Sequence, residues 1–107
     1  MIQPIRNIFS NWRNPQHKPI EYITYNIGKE SPVLVYYSSN MPVIIRYKED
    51  GVEKEKEYEA RTMGLVYFYD PSVLVEVESI SVRADAVTPY LAYIYSYSDW
   101  VILRDER

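Results

Sequence analysis

The sequence predicts an all-β fold: an antiparallel β-sandwich of about eight strands, jelly-roll or immunoglobulin-like in topology, preceded by a basic N-terminal arm. Three observations carry that expectation. From residue 20 onward the chain reads as short alternating runs separated by turn signals. No segment there sustains an apolar period of 3.6 residues, the pattern a helix needs. The connections between runs are too short to hold crossover helices, which argues against a parallel sheet.

The arm comes first. Residues 1–19 hold three of the seven prolines (Pro4, Pro15, Pro19) and the bulky anchors Ile5, Phe9 and Trp12. Arg6, Arg13 and Lys18 stand there with no acidic residue before Glu21, leaving nine basic and fifteen acidic residues for the rest of the chain. The prolines disfavour a long helix, although Pro4 suits the start of a short one around Ile5 to Trp12. The expected division is an arm over 1–19 and a sandwich domain over 20–107.

The strands expected in order are 20–27, 32–38, 42–48, 52–60, 64–69, 73–83, 89–97 and 99–104. Their separators are Gly28 to Ser31, Ser39 to Met41, Asp50-Gly51, Thr62 to Gly64, Asp70 to Ser72, Asp85 to Pro89 and Ser98-Asp99. Asp50-Gly51 suits a two-residue type I′ turn, in which both central residues need positive φ. That turn sets Lys48 opposite Glu53, Arg46 opposite Glu55, Ile45 opposite Lys56 and Val43 opposite Tyr58. Glu53, Glu55, Glu57 and Glu59 then share one face, and so charged a strand reads as a sheet edge guarded against stray pairing.

The run 73–83 changes phase. Val73, Val75 and Val77 share one parity while Ile80 and Val82 take the other, so a bulge near Glu78-Ser79 is needed to bring both groups inside. In the last pair of strands Tyr93, Tyr95 and Tyr97 fall on one face and Ala92, Ile94 and Ser96 on the other. Trp100 to Leu103 follow without alternation, as in a strand buried on both faces or covered by a partner.

Length and composition bound the chemistry. A chain of 107 residues is one ordinary domain, large enough for a core without metal or disulfide staples. The absence of cysteine removes disulfides, thiolate metal sites and thiol nucleophiles together. The lone histidine, His17, lies in the arm without an orienting partner, so a catalytic role is disfavoured. The glutamates at 53, 55, 57 and 59 are spaced ~7 Å apart along a strand, too far to chelate a cation easily. Glu76 and Glu78 have a spacing compatible with glycoside hydrolysis, but no cleft partner can be named beside them. There is no phosphate-cradling glycine loop and no serine nucleophile elbow. The expectation is therefore no enzyme, no catalytic or metal-binding residues and no cofactor.

What remains is surface. Twelve tyrosines exceed what one small core needs, and tyrosine serves interfaces because one end is apolar and the other wet. Base stacking calls for interleaved basic residues, and 88–103 has none, so nucleic acid is an unfavoured partner. The candidate partner interface comprises Ile5, Arg6, Phe9, Trp12 and Arg13 of the arm with Tyr93, Tyr95, Tyr97 and Trp100. The favoured function is a non-enzymatic structural or assembly protein that contacts other copies of itself or a protein partner, as virion components do. The alternative is a carbohydrate-binding module using Tyr93, Tyr95, Tyr97 and Trp100. No secretion signal or membrane span is read, so synthesis in the cytoplasm is expected, with a virion as one destination open to it. A cysteine-free, Glu- and Ile-rich composition is compatible with a thermophilic host.

Overall fold

A computed structural model of the chain describes residues 19–97 and 99–104. Ile5, Arg6, Phe9, Trp12, Arg13 and His17 lie outside the described residues. Eight strands follow one another: β1 (Tyr22–Glu30), β2 (Val33–Ser39), β3 (Val43–Glu49), β4 (Val52–Tyr58), β5 (Arg61–Phe68), β6 (Val75–Arg83), β7 (Tyr90–Tyr95) and β8 (Val101–Leu103). They form two antiparallel four-stranded sheets, ordered β1-β6-β3-β4 and β5-β2-β7-β8. Within β1–β6 the first strand pairs with the sixth, the second with the fifth and the third with the fourth. That is a hairpin rolled over on itself, the jelly-roll form of the β-sandwich, and β7-β8 extends one sheet.

The hairpin of β3 and β4 has the register expected from its turn. Lys48 pairs with Glu53, Arg46 with Glu55, Ile45 with Lys56 and Val43 with Tyr58. Asp50 and Gly51 have φ of 53° and 85°, as a type I′ turn requires. Arg46 closes on Glu55 at 2.8 Å. Lys48, however, sends its ammonium to Glu78 of β6 at 3.3 Å rather than to Glu53, because β3 is flanked on both sides and Glu78 stands out from the bulge. β4 is an edge, solvated on both faces except at Tyr58.

The phase change in β6 is resolved as expected. Arg46 pairs with Ser79 and Tyr47 with Val77, so Glu78 is the extra residue of a bulge. Val75, Val77, Ile80 and Val82 thereby all reach the core. Facing them are Val33, Val35, Tyr37, Phe68, Leu91 and Tyr93 of the other sheet. Two expected separators are instead parts of strands. Gly28 (φ 62°) sits in a bulge that lets β1 continue to Glu30. Gly64 lies within β5 opposite Tyr37, where its missing side chain makes room for the Tyr37 ring.

The expected stretch 99–104 shortens to the three-residue β8, at the edge of its sheet. Trp100, Val101 and Ile102 are exposed, which corrects the reading of a strand buried on both faces. Its lack of alternation has a simple cause: Leu103 turns toward the core while Trp100 and Ile102 stand on the outer surface, and both sides are apolar.

Tyr37 is 2% exposed and donates its hydroxyl to the Glu59 carbonyl at 2.8 Å, so its ring cannot retreat. A Cβ added at Gly64 falls 2.8 Å from Tyr37 Cδ1 and closer still to Cε1 and Cζ. Gly64→Ala is therefore expected to destabilise the fold by about 1–3 kcal/mol, the usual cost of overpacking. Chemical denaturation checks it, and an unchanged midpoint contradicts the tight fit.

Candidate functional site

The two sheets differ in what they show to solvent. On the outer side of the β1-β6-β3-β4 sheet, cross-strand rows such as Asn26–Ser79–Arg46–Glu55 and Thr24–Ser81–Ile44–Glu57 mix charged, hydroxyl and amide groups. Thr24 and Ser81 are joined there by a 2.8 Å hydrogen bond. Ser79 and Ser81 at its centre are buried, and the charged and amide groups around them meet solvent.

The outer side of the β5-β2-β7-β8 sheet is of another kind. Registers place Tyr67–Leu34–Ile94 in one row and Leu65–Tyr36–Ala92–Ile102 in the next, followed by Ser38–Tyr90. Met63 and Trp100 flank these rows. Among these described residues none carries a charge. Met63 is 71% exposed, Leu65 and Tyr67 62% each, Trp100 46%, Tyr90 42% and Ile102 41%. With whole aromatic side chains offering roughly 150–250 Å² each, the uncovered area is on the order of 700 Å². Soluble monomers seldom expose a contiguous apolar patch larger than ~300–600 Å².

At the centre of the face three rings meet. Tyr36 packs edge-on against Tyr90, with centroids 5.7 Å apart, and against Trp100 at 6.1 Å. Together with Ala92, which is only 1% exposed although it points outward, they line a hollow of about 380 Å³. The small Ala92 side chain is what lets the hollow form between larger neighbours.

The expected stripe of Tyr93, Tyr95 and Tyr97 is not part of this surface. Tyr93 pairs with Val35, which fixes its side chain inward, and it is 7% exposed. Tyr95 packs against the core, with Lys29 Nζ 4.5 Å from its ring centroid. Tyr97 (φ 64°) lies in the turn after β7, fully exposed and off the strand. Of the described candidates, Trp100 alone stands on the outer face. The residues that sequence reasoning missed are Leu34, Tyr36, Leu65, Tyr67, Tyr90 and Ile102. Their signal was apolar character on both parities of an antiparallel strand, noticed only for 100–103.

Ionisable groups with displaced pKa values have local causes. Burial raises the Tyr37 and Tyr58 hydroxyls. Lys48, Lys54 and Arg83 are raised by hydrogen bonds to Glu78, Glu49 and Asp85 respectively. Asp70 is held low by hydrogen bonds from the Ser72 hydroxyl and backbone N–H, both onto Oδ1. Asp85 is held low by Arg83. Among the described residues no group of three or more histidines and carboxylates is placed to hold a metal ion. Comparison with protein-family models, curated proteins and solved structures finds no match to this chain.

Because Asp70 and Asp85 titrate lower folded than unfolded, each stabilises the fold above the ordinary carboxylate value of about 3.9. That contribution is lost as pH falls below it through the depressed folded values. Thermal melts of the native protein and of Asp70→Ala are expected to converge as pH falls from 4 toward 2. A gap that stays constant contradicts the role given to the Asp70–Ser72 bonds.

Proposed function

We propose that the protein is a non-enzymatic structural or assembly protein that works as a homo-oligomer, the class to which capsid, decoration and tail components of virions belong. One observation carries the reading: the uncharged apolar outer face of the β5-β2-β7-β8 sheet. A face without charges can meet another copy of itself without like-charge repulsion and without stripping water from ions. Its area is close to the ~800 Å² that each partner contributes to a standard interface. Its aromatic centre of Tyr36, Tyr90 and Trp100 has the composition of interface hot spots. The opposite sheet, with its charged edge strand β4, suits the solvent side of such an assembly.

A carbohydrate-binding reading moves to Tyr36, Tyr90 and Trp100, since Tyr93 is buried. Sugar sites pair a ring with several fixed polar groups. Here the hollow's polar groups are two tyrosine hydroxyls and an indole N–H, which weighs for a protein contact.

Leu65→Glu and Tyr67→Glu place a charge on the face at positions already more than 60% exposed in the single chain. They are expected to change folding stability by less than about 1 kcal/mol. Burying that unpaired charge between copies should raise the dissociation constant at least ~100-fold. Sedimentation velocity of native and variant protein across a dilution series reads the outcome. A native protein that is monomeric at high concentration, or variants that associate as it does, would sink the reading.

A further inference from the structure

We infer that the outer face of the β5-β2-β7-β8 sheet is covered by residues 1–18 of a neighbouring copy. The inference rests on the reading of that face as a contact between copies, and it names which part of the second copy supplies the contact.

The described chain starts at a corner of the sandwich next to this face. The Glu21 carbonyl accepts a 2.9 Å hydrogen bond from the Ala84 N–H, so the chain enters β1 beside the end of β6. At that corner the edge strands β1 and β8 leave a cleft of about 430 Å³, lined by Ile23, Tyr25, Tyr90, Ile102 and Leu103 together with Arg83 and Arg104. Tyr90 also lines the aromatic hollow, so this cleft adjoins the outer face at that corner. An arm therefore leaves each copy at the rim of such a face.

The arm is also long enough. Eighteen residues precede Pro19. They span ~27 Å if helical throughout and about twice that if extended. The outermost strands of a four-stranded sheet are only ~14 Å apart, so the arm is long enough to cross the sheet of a neighbour and still bridge a gap between copies.

The chemistry matches as well. Ile5, Ile8, Phe9 and Trp12 follow one another at intervals of three, one and three residues. In a helical turn those positions share one side, with Arg6 off it and Arg13, four residues after Phe9, at its margin. An apolar stripe without acidic residues fits a face without charges, and the hollow over Ala92 has room for one aromatic side chain. The arm's cations are drawn toward another copy by the acidic excess of the remaining chain. Pro15 and Pro19 bias Asn14 and Lys18 toward extended backbone. The reading of the face as a contact between copies is what selects the neighbour's face over the arm's own.

Complementation between two full-length variants tests the assignment. One carries Phe9→Asp and Trp12→Asp, with its face intact. The other carries Leu65→Glu and Tyr67→Glu, with its arm intact. Each alone is expected to sediment as a monomer at concentrations where the native protein is associated. Their equimolar mixture is expected to re-form a complex, since the arm of the second can seat on the face of the first. If the arm variant stays associated as the native protein does, the face is covered by something other than the arm. The inference then falls while the copy-to-copy contact stands. If both variants dissociate and mixing restores nothing, docking between copies by the arm is overturned. If the face variant stays associated, the inference and the proposed function fall together.

Discussion

An antiparallel strand can hide only one of its two parities inside a two-layer sandwich, and β2, β5 and β7 are apolar on both. That constraint organises the structure. Val33, Val35 and Tyr37 of β2 fill the core with Val66 and Phe68 of β5 and Leu91 and Tyr93 of β7. Leu34, Tyr36, Leu65, Tyr67, Tyr90 and Ile94 are then turned outward by the same registers. The inner parity is satisfied by the facing sheet, where the bulge at Glu78 brings both halves of β6 into contact. Nothing among the described residues covers the outer parity. A second layer for that face is the feature from which the proposed function follows.

The opposite sheet shows how the same fold looks when water is the intended neighbour. β4 carries glutamates on one side and Lys54 and Lys56 on the other, so neither side invites a partner. Its ion pairs, Arg46–Glu55 and Lys54–Glu49, are solvent-exposed and each contributes little to stability. Their use is to keep one face and one edge of the molecule dispersed. The registers turn the residues of both outer faces away from the shared core, so substitutions on the apolar face leave the inner packing intact.

The fold was legible where the determinants are local. All eight strands fall on runs separated by turn signals, and the β3-β4 register follows from Asp50-Gly51 alone. Errors came where a distant residue decides. Gly64 reads as a turn residue until Tyr37, 27 positions earlier, is seen to lie over it. Tyr93 reads as surface because β7 offers aromatic or apolar residues on both parities, and only its pairing with Val35 fixes which side is inside. The apolar face itself is assembled from β5, β2, β7 and β8, whose adjacency is a matter of strand order. Charge-free positions scattered over some seventy residues gain meaning only when the roll brings them together.

The proposed function requires that the outer face of the β5-β2-β7-β8 sheet be covered in the working protein. Met63, 71% exposed in the single chain, reports on it directly through its oxidation by peroxide, followed by mass spectrometry. In the concentrated native protein Met63 is expected to oxidise several-fold more slowly than a denatured control and to gain reactivity on dilution. Oxidation of Met63 at the rate of the denatured chain, whatever the protein concentration, would contradict the account.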